Sequence, residues 1–170
     1  MKKILSLLII LSALWSCKCK KNAIENDAKN KITEIKDCTK NAKCTQEILS
    51  ESGLVIEQDV TGKPFYAIAE KKGTTVYRYI MSQNQDQQYV DGGYREEIIF
   101  ELPSDFKNGT ISGKQILETK ALFGVFCFCK DKAGYYKINE GKITKTKESI
   151  LVEFSPVIAD QKVTSITISL

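Results

Sequence analysis

Apolar and polar residues alternate in short runs after Gly53, a period typical of β-strands. Turn residues such as Thr61-Gly62-Lys63 and Lys72-Gly73 separate these runs. The predicted strands are LVIEQDV from Leu54, PFYAIAE from Pro64, TTVYRYIM from Thr74, YREEIIFE from Tyr94, ALFGVFCFC from Ala121, YYKIN from Tyr135, KITKTK from Lys142, ILVEF from Ile150 and KVTSITISL from Lys162. Many short strands without long helices between them predict a mainly β fold, an antiparallel meander that forms a barrel or a sandwich.

Two connections are predicted in more detail. Asn139-Glu140-Gly141 has the composition of a hairpin turn in which Gly141 adopts a positive φ. The segment Ile111 to Thr119 fits either an edge strand or a helical turn. Neither connection changes the predicted fold class.

The segment before Gly53 has a helical period instead. Its apolar residues recur three or four positions apart and predict an amphipathic helix packed on the sheet. A second, shorter helical turn is predicted from Thr45 to Gly53. The apolar positions of the first helix are Ile24, Ala28, Ile32, Ile35 and Cys38.

Burial is predicted from the faces of the strands. In the last strand one face should meet the core and the other should meet water. One face has Thr164, Ile166, Ile168 and Leu170, and the other has Val163, Ser165, Thr167 and Ser169. The strand LFGVFCFC is apolar on both faces. We expect it to be covered on both sides, with the amino-terminal helix as one cover. The alternative is a ligand cavity lined by residues such as Phe123 and Phe126.

The first residues, MKKILSLLIILSALWSC, combine a basic start with a mainly apolar run of 12 residues, Ile4 to Trp15, which is too short to span a bilayer. This segment resembles the lipobox signal of bacterial lipoproteins, with Leu14 three positions before the cysteine and Ser16 directly before it. The resemblance implies cleavage after residue 16 and lipidation of Cys17. We therefore divide the chain into a signal peptide (1–16), a lipidated tether (17–23) and one β-rich domain (24–170).

Lipidation implies a membrane partner, because multiple acyl chains anchor stably where one does not. In lipoproteins an acidic residue after the cysteine retains the protein at the inner membrane, whereas Lys18, Lys20 and Lys21 are basic here. We therefore expect the periplasmic face of an outer membrane, with exposure at the cell surface as the alternative. An envelope protein is a further candidate partner.

Composition limits the function classes. Without the signal, which contains two lysines and no acids, 23 basic side chains face 21 acidic ones, so the chain has no nucleic-acid signature. The absence of histidine removes the commonest general base and the commonest metal ligand. We find no catalytic motif and predict no enzyme and no cofactor.

Cysteines exported to an oxidising compartment are more often paired than free. With Cys17 lipidated and Cys19 in the tether, two disulfides can form among the other four. Local pairing requires a break in the helix and a bulge in the strand, because residues two apart on a regular strand lie at the limit of disulfide reach. We slightly favour bridges between the two segments. The four candidates are Cys38, Cys44, Cys127 and Cys129.

A soft-metal site is the functional rival for these cysteines. Two thiolates in a C-x-C arrangement suit Cu(I). Against it, neighbouring phenylalanines raise the pKa of a thiol, and the chain contains no C-x-x-C pair. We therefore predict no metal site and keep a thiolate copper chaperone as an alternative.

Polar candidates are weaker. Glu96 and Glu97 are adjacent in a predicted strand and should point to opposite faces, so they do not form a paired-carboxylate site by themselves. Glu101 or Asp91 is the alternative partner for one of them, but we expect a solvated outer face instead. The loop from Ser82 to Tyr94 is the best candidate binding loop, with Tyr89, Asp91 and Tyr94 as contact residues. The sequence thus favours a non-catalytic binding or structural module of the envelope, with a carrier of a small apolar ligand as an alternative.

Overall fold

A computed structural model describes residues 30–35, 38, 41–83 and 93–170. Within this part of the chain the fold is mainly β, with two antiparallel sheets and no closed barrel. The first sheet has the strand order β1-β2-β3-β4-β6-β7, and the second has the order β10-β9-β8-β5. The strands are β1 (Asn30–Ile35), β2 (Ala42–Gln58), β3 (Pro64–Gln83), β4 (Arg95–Pro103), β5 (Gly109–Gly113), β6 (Leu122–Phe126), β7 (Gly134–Lys137), β8 (Gly141–Lys145), β9 (Ser149–Phe154) and β10 (Ser165–Ser169).

The two sheets share one apolar core, which we call the inter-sheet core. The first sheet contributes alternate residues of its strands, among them Phe100 and Phe123, and the second contributes Ile150, Val152 and Ile168, all fully buried. The alternation predicted for the last strand is confirmed inside β10, where Ile166 and Ile168 are buried and Ser165 and Thr167 are exposed. It is wrong at the residues that flank β10, since Val163 is buried whereas Thr164 and Leu170 are exposed.

A bulge divides the long β2–β3 hairpin into two parts. The register shifts between Ser50 and Ser52, so that residues 71–74 of β3 lie opposite Glu51 alone. Glu51 and Gly73 both have positive φ values there, 51° and 74°, which bend the hairpin. We call the distal part, residues 52–70, the hairpin arm.

The hairpin arm packs on the outer face of the first sheet, away from the second sheet. Its Tyr66 ring lies 5.1 Å from the ring of Tyr135 in β7, measured between centroids. At its tip, the Lys63 ammonium donates to the Ala133 carbonyl at 2.9 Å. Beneath the arm lies a second, smaller apolar cluster, which we call the outer layer. Its buried members are Leu54, Val76, Ile99 and Leu122.

Both predicted helices are wrong where the structure describes them. Asn30–Ile35 is strand β1, whose Ile35 pairs with Cys44, and the segment from Thr45 to Gly53 belongs to strand β2. Pairing with a neighbouring strand supplies backbone hydrogen bonds that override a local helical period. The predicted helical positions Ile24 and Ala28 lie outside the described residues. Within the part that is described, no helix is long and apolar enough to cross a membrane.

The aromatic strand is covered on both faces, as one interpretation predicted. Phe123 and Val125 lie in the inter-sheet core, and Leu122 lies in the outer layer. The cover on the outer side is the hairpin arm, not a helix. The strand is also shorter than predicted, because β6 ends at Phe126, before both cysteines.

Two connections differ from their predictions, and a third combines its two predicted forms. Lys72-Gly73 is the bulge inside the continuous strand β3, not a turn between two strands. Gly141 does not have a positive φ, and its segment passes from β7 in one sheet to β8 in the other. A Cβ at Gly141 would lie 2.7 Å from the Glu153 carbonyl oxygen, so close approach explains the glycine. The segment Ile111 to Thr119, predicted as an edge strand or a helical turn, contains both: the end of edge strand β5 and then a 3-10 helix, Lys114–Thr119.

Candidate functional site

An apolar cavity of about 570 Å³ lies between the hairpin arm, the 3-10 helix and the adjoining ends of β6 and β7. Its volume falls in the range of small-molecule sites, about 300–1,000 Å³. Two of the apolar lining residues, Val55 and Leu117, are 43% and 48% exposed. The cavity is therefore open to a ligand. The apolar lining residues are Leu54, Val55, Ile56, Leu117, Ala121 and Leu122.

The polar side chains of the described lining are two lysines, Lys120 and Lys137. Lys120 follows the 3-10 helix in a left-handed conformation, with φ 52°. Its ammonium donates to the Leu54 carbonyl and lies 3.1 Å from a Glu101 carboxylate oxygen. The Lys137 ammonium makes no hydrogen bond or ion pair with the residues that the structure describes. Of the two lysines in the described lining, Lys137 is therefore the one whose ammonium remains available to a ligand.

Glu101 connects the hairpin arm to the first sheet. Its carboxylate accepts a hydrogen bond from the Leu54 amide at 2.5 Å and one from the Lys71 ammonium at 2.9 Å. Burial by itself would raise the pKa of Glu101, but these hydrogen bonds and Lys120 outweigh burial and lower the pKa below its ordinary value of 4.5. Glu101 is therefore ionised at neutral pH, and its charge is fully compensated by its neighbours.

A second buried carboxylate, Glu97, lies under the arm on the same face of β4. It accepts hydrogen bonds from the hydroxyls of Tyr66, at 2.5 Å, and Tyr135, at 3.1 Å. Burial and then the charge of Glu97 raise the pKa of Tyr135, and burial together with the Glu97 hydrogen bond raises that of Tyr66. The Arg78 guanidinium also donates to the Tyr66 hydroxyl, at 3.2 Å, and forms an ion pair with Glu47.

This network has the chemistry of a structural clamp. Both tyrosines remain protonated donors at neutral pH, because their pKa values are raised, so neither is an activated nucleophile. Their hydroxyl hydrogen bonds occupy Glu97, which is 2% exposed. The network therefore fixes the arm over the sheet, where it forms one wall of the cavity.

The prediction for the β4 glutamates is partly wrong. Glu96 and Glu97 do point to opposite faces, as expected for neighbours on a strand. Neither face is solvated, however, because Glu96, Glu97 and Glu101 are 0%, 2% and 6% exposed. Glu96 accepts hydrogen bonds from the amides of Lys162 and Val163, at 2.8 and 2.7 Å, and so holds the segment before β10. Strand alternation predicts the direction of a side chain but not what folds over it.

The cysteines form local pairs at disulfide distance, so the favoured bridges between the two segments are wrong. Cys38 pairs with Cys44 and Cys127 with Cys129, with Cα atoms 5.6 and 5.2 Å apart. The second pair forms in a turn after β6 has ended, where no regular strand keeps the side chains parallel. Phe128, between its two members, is 95% exposed. Among the described residues no group of three or more cysteine or acidic side chains could hold a metal ion.

Of the predicted binding loop, Tyr89 and Asp91 lie outside the described residues. Tyr94 packs against the domain instead of extending from it. Its hydroxyl donates to Glu96, and burial followed by that hydrogen bond raises the pKa of Tyr94. The predicted cavity residues are also wrong, since Phe123 is fully buried in the inter-sheet core and Phe126 is not among the cavity's lining residues.

Sequence reasoning missed every residue of this cavity. The run Leu54 to Ile56 was recognised as a strand, but its unbroken apolar character was the available sign that more than one side is covered. Leu117 and Lys120 lie in and after the ambiguous segment. Only the bend of the hairpin at Gly73 brings these distant parts together, and no local pattern encodes that contact.

No protein family model matches this chain, and searches of curated proteins and of solved structures also found no match. The function is therefore argued from the site itself.

Proposed function

We propose that this protein is a lipid-anchored lipoprotein of the bacterial envelope whose domain is a non-catalytic binding module. The cavity beside the hairpin arm is its binding site, and this cavity is the observation that carries the proposal. Cys17 supplies the membrane anchor, at the periplasmic face of an outer membrane. The basic residues that follow Cys17 support this location.

The arrangement of the charged groups favours binding over catalysis. Catalytic acids and bases need a free proton position within reach of a substrate. Glu97 and Glu101 are instead surrounded by donors that anchor the arm. An apolar cavity with a few polar groups at its border is typical of a ligand site.

The cavity favours one alternative in particular, a carrier of a small apolar ligand. A carrier must shield its ligand from water, and the six apolar side chains of the lining provide that surface. The thiolate copper chaperone is less well supported. Cys127 and Cys129 lie at disulfide distance, and a disulfide cannot act as a pair of thiolate ligands.

The binding proposal is tested by the native intact mass of the mature chain, residues 17–170, with Cys17→Ser and export to the periplasm retained. We expect an additional bound mass that denaturation releases. The same preparation with Leu117→Asp should lose that mass, whereas Val60→Asp, at the fully exposed tip of the arm, should retain it. A protein that carries no mass, and that gains none from a periplasmic or lipid extract, would contradict the proposal.

The anchor is tested separately with the full-length chain. A clickable fatty acid supplied to the cells should label the protein, and Cys17→Ser should abolish the label. Labelling that persists in this variant would show that Cys17 is not the lipidated residue.

A further inference from the structure

We infer that the cavity binds one single-chain amphiphile with an anionic headgroup, of which a fatty carboxylate is the simplest example. This inference rests on the proposed function, since it names the ligand of the same site. Its support is the combination of an apolar interior with an uncompensated positive border.

The apolar lining explains the hydrocarbon chain. Six of the eight described lining residues are apolar, and they come from the arm, the 3-10 helix and β6. The cavity of about 570 Å³ lies between these elements, and hydrogen bonds to Glu97 and Glu101 hold the arm that forms one of its walls. Val55 and Leu117 are partly exposed, and a bound chain would remove their apolar surface from water.

The charge of the border explains the headgroup. Lys71 and Lys120 share the single negative charge of Glu101, which leaves one positive charge in that cluster. Lys137 adds a second, without a partner among the described residues. No acidic side chain belongs to the described lining. A carboxylate or phosphate at this border gains a charge-assisted hydrogen bond, whereas a quaternary ammonium group meets only like charge.

The geometry favours a single amphiphile over a bilayer surface. Binding to a bilayer uses apolar side chains that project outward into the headgroup region. The apolar residues here line a concavity instead, with Leu54 and Leu122 each 1% exposed. The amphiphile is therefore taken up as a monomer.

The test measures binding to the mature chain, residues 17–170, with Cys17→Ser. Isothermal titration uses three probes of equal chain length below their micelle concentrations, namely laurate, dodecanol and dodecyltrimethylammonium. We expect one laurate per chain, and at least about tenfold weaker binding of the cationic probe, with the neutral probe between them. Higher salt should weaken laurate binding only.

Variants locate the two halves of the ligand. Lys137→Glu should weaken laurate binding at least about tenfold and leave dodecanol unchanged, because it reverses the charge at the border only. The matched control is Lys142→Glu, an exposed lysine of β8 in the other sheet, which should change neither. Leu117→Asp should abolish the binding of both probes, whereas Val60→Asp should not. Circular dichroism spectra identical to that of the parent chain establish that each variant is folded.

The outcomes distinguish this inference from the proposed function. Equal affinity for the anionic and cationic probes, or no effect of Lys137→Glu, would refute the anionic headgroup. If no probe binds while the native mass shows another ligand that Leu117→Asp removes, the ligand class is wrong and the binding module stands. Binding to anionic vesicles without uptake of monomeric laurate would assign the site to a membrane surface and overturn the inference.

Discussion

The two faces of strand β4 support two different kinds of interior. On one face Ile98, Phe100 and Leu102 pack into the inter-sheet core, which both sheets fill with apolar side chains. On the other face Ile99 alternates with Glu97 and Glu101 under the hairpin arm. The first face is apolar apart from Glu96, whose carboxylate accepts hydrogen bonds from the segment before β10. The second face holds its cover with charged hydrogen bonds to two glutamates and leaves a cavity beside it.

The difference shows where stability and binding are placed in this fold. A continuous apolar interior is close-packed and leaves no room for a ligand. A cover held at a few polar points leaves room between those points. The outer layer therefore contributes less to the stability of the fold and contains the candidate binding site.

Truncation of one leucine in each interior tests this difference most strongly. Leu102 and Leu54 are both buried, at 0% and 1% exposure. Leu102→Ala should reduce the free energy of unfolding by about 4–5 kcal/mol, near the top of the usual range, and Leu54→Ala by about 2–3 kcal/mol, because Leu54 already borders a cavity. Urea denaturation of both variants measures the two losses. Equal losses would mean that the outer layer is packed as tightly as the inter-sheet core.

Removal of the Glu97 charge should loosen the arm selectively. Both tyrosine hydroxyls donate to the same Glu97 oxygen, and Glu97→Gln keeps an acceptor there but removes its charge. Two charge-assisted hydrogen bonds thereby become neutral, which should reduce the free energy of unfolding by about 1–2 kcal/mol. Amide hydrogen exchange should become faster along the arm and remain unchanged at Ile150 and Val152 of the inter-sheet core. Faster exchange at both places would show that the two interiors unfold together.

The two interiors should also differ in their response to acid. The pKa of Glu101 is lower in the folded chain than its ordinary value of 4.5. Its stabilisation is therefore complete above pH 4.5 and is lost as the pH falls through the folded value. Glu101→Gln should reduce the free energy of unfolding, measured by urea denaturation, by less at pH 3 than at pH 7. The loss in free energy of unfolding caused by Leu102→Ala should not depend on pH. If the losses of the two variants changed in parallel, a specific role of Glu101 would be contradicted.

Substitutions at the border of the cavity should have the smallest effect on stability. Val55 and Leu117 are about half exposed, so Val55→Asp and Leu117→Asp should each change the free energy of unfolding by less than about 0.5 kcal/mol. Thermal denaturation provides the measurement. A loss as large as that of Leu54→Ala would mean that these side chains support the arm rather than form the mouth of the site.

Most of the strands could be predicted from the sequence, but the outer layer under the hairpin arm could not. Strand β10 and LFGVF have the predicted faces, because an alternating or doubly apolar pattern reports burial directly. The helix prediction for the region before Gly53 was wrong. The apolar spacing of three and four residues there also fits a strand with exposed apolar positions such as Ile32, which is 67% exposed. The spacing of apolar residues cannot distinguish a helix from a strand where pairing with a neighbouring strand determines the structure.

The site escaped prediction for a related reason. Gly73 was predicted to lie in a turn between two strands, yet the chain bends there within the continuous strand β3. This bend places Leu54 beside Leu122 and Glu101 beside Lys71, contacts between residues far apart in the sequence. A regular strand disfavours a disulfide between Cys127 and Cys129, but β6 ends at Phe126 and leaves both cysteines in a turn.

Methyl spectra of residues 17–170 with Cys17→Ser, recorded during titration with monomeric laurate, provide the most direct test of the outer layer as the binding site. We predict shifts of the methyl groups of Leu54, Ile56, Leu117 and Leu122, with those of Ile150 and Ile168 in the inter-sheet core unchanged. Shifts confined to the inter-sheet core, or no shift at any of these methyl groups, would contradict the account.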